Sequence, residues 1–176
     1  MVGAVARDAR EVVVWSALDE IADPEIPAIS VVELGVIRGF TFEARPDGGE
    51  RLTVELLPTF VGCPAIDVMQ LQIGERLRAL DLVDEVRVDV SFAEPWTSER
   101  ISPEGREKLR GSGFAPPVHI GPTFTGEELQ VMIAAAECPY CGSHNTTLEN
   151  PFGPTLCRAI HHCADCRQPF EQFKTV

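Results

Sequence analysis

Two cysteine pairs constrain this chain more than any other feature. Cys138-Pro139-Tyr140-Cys141 is followed, after 21 residues, by Cys163-Ala164-Asp165-Cys166. Two residues between two cysteines let both thiolates leave one tight turn toward a single ion. Two such turns facing each other make a tetrahedral sulfur cage, which suits Zn²⁺. Four sulfurs also suit a single iron ion. A closed cage of this kind is structural: it leaves no open coordination position and holds a small β module folded. The module needs that support, because residues 116–176 are too few to bury a sufficient core alone.

The residues around the pairs fit a zinc ribbon. Gly142 follows the first knuckle, where the chain must turn sharply. Thr146-Thr147-Leu148-Glu149 and the stretch from Leu156 to His161 read as strands, with Asn150-Pro151-Phe152-Gly153-Pro154 turning between them. Phe170 and Phe173 are placed to cover the site from a last strand. Cys157 is an accessory thiol beside the four. Alternation puts Cys157 and His161 on one strand face and His162 on the other. A second metal site built from Cys157 and a histidine is one reading; a small buried side chain with surface histidines is the other. His119 and His144 are isolated and carry no assignment.

Upstream, Val14, Leu18 and Ile21 recur at helical spacing until Asp23-Pro24 stops the helix. The residues from Glu33 to Phe42 read as a turn into a strand. Pro46-Asp47-Gly48-Gly49 is a hairpin turn, and Leu52, Val54 and Leu56 alternate along the return strand. Pro64 suits the first turn of a helix running to about Leu80, with Ile66, Met69, Ile73, Leu77 and Leu80 as its apolar stripe. Val86, Val88 and Val90 alternate in a third strand. Ser102-Pro103-Glu104 caps a short charged helix. The expected fold is therefore α+β: a small three-stranded sheet with packed helices, followed by the C-terminal ribbon. Gly111-Ser112-Gly113-Phe114-Ala115-Pro116-Pro117 reads as a linker that continues to about Gly126. The expected domains are residues 1–115 and 116–176.

Charge narrows the function. Fifteen basic residues against 27 acidic ones leave a net charge of −12. Nucleic-acid affinity rests on clustered Lys and Arg, so a nucleic-acid partner is not expected. The longest apolar run of note, Val131 to Ala136, is too short to cross a bilayer. The first eight residues lack the basic flank and apolar stretch of a signal peptide. These features predict a cytoplasmic protein with no membrane partner. In a reducing compartment, five cysteines within the last 39 residues point to metal rather than to disulfides. There is no Ser-His-Asp arrangement, no glycine-rich phosphate loop and no H-E-x-x-H helix.

The sixth cysteine, Cys63, stands alone before a predicted helix. Backbone N–H groups at a helix start favour a thiolate, as a reactive or metal-handling cysteine requires. A buried thiol packed under the loop is the competing reading.

Several blocks together resemble a known family. Asp23-Pro24-Glu25-Ile26-Pro27, Val32-Glu33-Leu34-Gly35-Val36-Ile37, Gly62-Cys63-Pro64, Glu94-Pro95-Trp96-Thr97 and Ile101-Ser102-Pro103-Glu104-Gly105-Arg106 resemble the SufT-like iron–sulfur assembly proteins. The ribbon adds Cys138-Pro139-Tyr140-Cys141-Gly142-Ser143, Phe152-Gly153-Pro154-Thr155-Leu156-Cys157-Arg158-Ala159 and the ending Pro169-Phe170-Glu171-Gln172-Phe173-Lys174. With these, nearly the whole chain resembles the PaaD (PaaJ) family of subunits linked to the phenylacetyl-CoA epoxidase.

The resemblance implies an accessory subunit for aerobic phenylacetate breakdown. Such a subunit assists maturation or repair of an iron or iron–sulfur centre in the ring-epoxidising complex. It maps the family's cysteine onto Cys63 and its Asp-Pro-Glu block onto Asp23 and Glu25. The two carboxylates can supply ligands to a transient iron or iron–sulfur cluster, or Asp23 can simply fix a turn. The implied partners are the other epoxidase subunits and iron–sulfur assembly proteins. A homodimer through a sheet edge is a further expectation. The alternative is a non-catalytic adaptor that docks through its ribbon. A third reading is an electron carrier built on a four-cysteine iron site.

Overall fold

The structure is a computed structural model that describes residues 9–60, 62–118 and 136–174. The chain divides into two compact units. One comprises Met1–Pro58 and Pro64–Glu94; the other comprises Thr59–Cys63 and Pro95–Val176.

The first unit follows the hydrophobic periodicity. Helix α1 (Ala9–Asp19) buries Val14, Ala17 and Leu18, three and four residues apart. Ile21 is buried as well, but beyond the helix end, where its N–H bonds Leu18 O at 3.1 Å. Ser30 and Glu33 then bond reciprocally, Ser30 N to Glu33 Oε2 and Glu33 N to Ser30 Oγ, each at 3.0 Å. This capping-box pattern closes a turn rather than opening a helix. Strand β1 (Ile37–Ala44) pairs antiparallel with β2 (Glu50–Leu56) across the expected hairpin. Leu52, Val54 and Leu56 are buried on β2.

Helix α2 (Ala65–Arg78) buries Ile66, Met69, Ile73 and Leu77, four members of the predicted stripe. Leu80, the fifth, lies past the helix end. Asp81 sits at φ 53°, where the helix cannot continue. Pro64 is the N-cap. Strand β3 (Glu85–Val90) returns parallel to β2, with Leu52, Val54 and Leu56 opposite Val86, Val88 and Val90. The sheet order β1-β2-β3 gives the expected three-stranded layer.

The second unit holds more than the ribbon. A 3₁₀ turn (Ser98–Arg100) leads to helix α3 (Pro103–Gly111). Ser102 caps α3 by accepting the N–H of Gly105 at 2.9 Å. Arg106 bonds the carbonyls of Ser98 and Pro117 at 2.6 and 2.8 Å, tying the helix to both flanking segments.

Strand β4 (Phe114–Ala115) follows at once and runs parallel to β7 (Pro169–Phe173). Strands β5 (Thr146–Asn150) and β6 (Arg158–Cys163) complete a four-stranded sheet in the order β4-β7-β6-β5. Of the stretch expected to be a linker, Gly111 ends α3, Ser112 and Gly113 turn, and Phe114 and Ala115 join this sheet. Gly113, at φ +84°, makes the turn between α3 and β4. The division expected at 115/116 falls inside the second unit. The rest of the expected linker from residue 119, with His119 and most of the Val131–Ala136 run, lies outside the described residues. Among the described residues, no helix is long and apolar enough to cross a membrane.

Candidate metal centre

The two cysteine pairs converge. Cys138 Sγ lies 3.6 Å from Cys166 Sγ, and Cys141 Sγ lies 3.6 Å from Cys163 Sγ. All four sulfurs fall within 4.8 Å of one another. A Zn–S bond of about 2.3 Å places tetrahedral sulfurs about 3.8 Å apart, so the donors fit the ion by type, number and spacing. Among the described residues, this is the one group of three or more candidate ligands held together.

The two knuckles share one backbone plan. In the first, Gly142 N bonds Cys138 O and Cys138 N bonds Ser143 O, both at 2.9 Å. In the second, Arg167 N bonds Cys163 O at 2.9 Å and Cys163 N bonds Gln168 O at 3.0 Å. Gly142 takes φ +73° and Arg167 takes φ +60° at the matching position. Glycine meets that requirement without steric cost, whereas for arginine it costs about 1 kcal/mol.

The inner side of the cage is dry. Cys138 and Cys163 are buried with Ala115, Ala136 and Phe170, while Cys141 is exposed and Cys166 half-buried. The backbone N–H of Cys166 draws the Cys163 thiol down to about 7, helped by that of Asp165. The Ser143 N–H pulls the Cys141 thiol down, but lost hydration and the neighbouring sulfurs outweigh it and push Cys141 up to about 12. Burial raises Cys166. One thiolate thus forms near neutrality while its neighbours resist ionisation. A dication replacing their protons removes that conflict.

At the other end of β6 from Cys163, the ribbon carries a buried arginine. Arg158 is 8 % exposed; it reaches Thr155 Oγ1 and Glu171 Oε2, each at 2.9 Å, and lies over the Phe114 ring. Its N–H also closes a turn onto Thr155 O. That turn starts β6 two residues later than the expected Leu156.

Cys157 is buried, with Sγ 3.0 Å from Thr155 Oγ1. His161 is fully buried and stacks on Phe170 with centroids 5.4 Å apart. Neither of its ring nitrogens has a hydrogen-bond partner. Burial pushes its pKa down, against a smaller opposing effect of Gln172, so the ring is a neutral core group. His162 is half-buried on the opposite strand face, as alternation requires.

The remaining candidates lie elsewhere in the chain. Asp23 is 6 % exposed, and its Oδ1 accepts the N–H groups of Glu25 and Ile26 at 2.9 and 2.7 Å. Those bonds fix a turn that begins four residues past the end of α1, so the helix stops earlier than the expected Asp23-Pro24. Glu25 is half-buried on the same turn. Cys63 is half-buried, follows Gly62 at φ +81°, and donates its backbone N–H to Phe60 O at 3.2 Å. Its loop, Thr59–Cys63, belongs to the second unit, and Asp23 and Glu25 belong to the first.

Comparison with known proteins finds two family matches, and the N-terminal one contains Cys63 as well as Asp23 and Glu25. Residues 126–174 match the PaaD zinc beta ribbon domain, and residues 11–90 match the iron–sulfur cluster assembly protein family. A protein of Escherichia coli (strain K12), named as one of the subunits of a "Putative 1,2-phenylacetyl-CoA epoxidase", is 34% identical over 164 residues, 93% of this chain and 92% of that one. The Bacillus subtilis (strain 168) Fe-S protein maturation auxiliary factor YitW is 27% identical over 89 residues, 51% of this chain and 82% of that one. The crystal structure of a domain of unknown function, DUF59, from Bacillus anthracis superposes with a TM-score of 0.51 at 24% identity. It covers 61% of this chain and 97% of that one, and it supports the fold. The ribbon match and the sulfur geometry together assign a structural Zn²⁺ to Cys138, Cys141, Cys163 and Cys166.

Proposed function

This chain belongs to the PaaD family, together with the Escherichia coli epoxidase protein, and on that premise we infer that it is an accessory subunit of a phenylacetyl-CoA epoxidase system. Its task is to assist maturation or repair of an iron or iron–sulfur centre in that complex. The observation that carries this reading is the pairing of two matches in one chain: an iron–sulfur assembly domain over residues 11–90 and a PaaD ribbon over residues 126–174. The iron or cluster is cargo here, whereas the ribbon zinc is resident.

Cys63 is the residue assigned to the cargo. It sits on a glycine-shaped loop, is half-buried and lies outside the zinc cage. Asp23 and Glu25 are the carboxylates that the family resemblance adds as candidates for the cargo, with Oδ1 of Asp23 already engaged by its own turn. The partners are the other epoxidase subunits and the iron–sulfur assembly proteins that load them, in the cytosol.

The test is co-expression of the epoxidase subunits with wild type or Cys63→Ser, followed by iron and acid-labile sulfide analysis of the purified client. The expected result is an under-metallated client with Cys63→Ser, while the variant itself keeps one zinc. A fully metallated client removes the role given to Cys63.

One observation favours a second reading. The β5–β6 turn exposes Phe152 and Leu156, large apolar side chains that a docking adaptor would use. That reading expects stoichiometric co-purification with the oxygenase subunits and no effect of Cys63→Ser.

A further inference from the structure

The two zinc knuckles are joined by contacts that do not involve sulfur. Asp165 lies between the ligands of the second knuckle, and Ser143 and Asn145 follow those of the first. Ser143 Oγ donates to Asp165 Oδ2 at 2.6 Å, and Asn145 Nδ2 donates to Asp165 Oδ1 at 2.8 Å. Asn145 N bonds Ser143 Oγ at 2.9 Å, which fixes the hydroxyl that reaches Asp165. A backbone bond from Ala164 N to Asn145 O, also 2.9 Å, runs beside them. Both carboxylate oxygens of one knuckle are thus engaged by donors from the other.

We propose that Asp165 is a positioning residue for the zinc, clasping the two knuckles at the spacing the ion needs. Its charge does not favour the ion's complex. Four thiolates around Zn²⁺ already carry a net charge of −2, and a further anion beside them is repulsive. The benefit is geometric. Cys138 pairs with Cys166 and Cys141 with Cys163, so each close sulfur pair draws one member from each knuckle. Separation of the knuckles therefore breaks both pairs at once. The clasp is solvent-exposed and adds little to global folding stability, as exposed polar contacts generally do. Its effect falls on how readily one knuckle swings away and releases the metal.

Geometry and charge make opposite forecasts for Asp165→Asn. The amide removes the negative charge, but it leaves one acceptor oxygen where the carboxylate offered two, so the Ser143 hydroxyl and the Asn145 amide can no longer each donate to an oxygen of their own. If charge governs, zinc is held more tightly. If the clasp governs, zinc leaves about tenfold faster, the lower end of what supporting contacts contribute at metal sites. The swapped double variant, Asp165→Asn with Asn145→Asp, restores a donor opposite an acceptor and keeps the original net charge.

The experiment measures zinc release from the full zinc-loaded chain into excess colorimetric chelator, for wild type, Asp165→Asn, Asn145→Asp and the double variant. Cobalt-substituted samples report cage geometry through the thiolate-to-cobalt absorption. The expected result is faster release and a perturbed cobalt spectrum in both single variants, with both properties returning toward wild type in the double variant. Unchanged or slower release from Asp165→Asn overturns the proposal, and so does a double variant no better than the worse single one. If the single variants do not fold, Ser143→Ala removes one clasp bond with no new charge; release less than twice as fast as wild type then overturns it.

Discussion

The two units of this chain order themselves by different means. The first buries Val14, Leu18, Val54, Leu56, Ile73 and Leu77 to within 1 % exposure between helices and sheet. Each such side chain contributes roughly 1.5–3 kcal/mol when taken from water. The ribbon of the second unit has a smaller apolar core: Ala115, Ala136 and Phe170 packed with the zinc-site cysteines, and Ala159 and Phe173 along its strands. Its order depends on the ion. The same contrast separates the kinds of chemistry available, because a thiolate locked around structural zinc is unavailable for anything else. In this chain, that leaves Cys63 and Cys157 as the thiols outside the cage.

Metal removal gives the largest expected difference between the units. Each unit carries one tryptophan, Trp15 against Phe40 in the first and Trp96 against Phe173 in the second. Variants with a single tryptophan therefore report on the units separately. Chelation of zinc withdraws a binding free energy of about 10 kcal/mol or more. The emission of Trp96 is expected to shift to the red while that of Trp15 stays unchanged. A simultaneous loss of both signals would mean that the first unit does not stand by its own core. Acidification is expected to reproduce the effect without a chelator. Zinc-bound thiolates are held far below the values of the free thiols, about 7 for Cys163 and about 12 for Cys141. The stabilisation from zinc is thus present at neutral pH and is lost as falling pH returns protons to the sulfurs.

The reciprocal perturbation is Ile73→Ala. Ile73 is fully buried on α2, and its truncation is expected to cost about 2–5 kcal/mol. The unfolding midpoint read from Trp15 should fall, while the protein retains one zinc per chain and the Trp96 midpoint holds. Loss of zinc from Ile73→Ala would show that the ribbon borrows stability from the first unit.

The sequence carried these two regimes unequally. The apolar periods of α1 and α2, the alternation of β2 and β3 and the paired cysteines each express a local rule, so their elements were legible. Strand β4 was not, because two residues between glycines and prolines have no period to detect. Its pairing to β7 joins positions more than fifty residues apart. The start of β6 shifted for a similar reason: the Thr155–Arg158 turn depends on an arginine bonded to Glu171 on another strand. At the metal site, the four ligands follow from spacing alone. The Asp165 clasp does not, because its partners lie 20 and 22 residues away. Arg167 likewise occupies a left-handed position that a glycine marks in the other knuckle. The Asp23 turn was legible, since its bonds run two and three residues along the chain.

The smallest expected effect tests where the influence of the metal ends. Helix α3 precedes the ribbon in sequence, yet it lies in the same unit and leads directly into β4. Ser102→Ala removes the cap on Gly105 N and costs about 1 kcal/mol. In a unit of this size that corresponds to roughly 4–8 °C in melting temperature. If α3, β4 and the ribbon unfold together, the Trp96 midpoint of the zinc-loaded protein falls by that amount, and the Trp15 midpoint does not move. If both midpoints hold while helical signal is lost at lower temperature, α3 frays by itself. The cooperative body stabilised by zinc would then begin at Phe114, and the short β4 pairing would be its boundary rather than its link to the helix. The two outcomes differ in what the zinc is for: a staple for one small sheet, or the order of the whole unit that also carries the Cys63 loop.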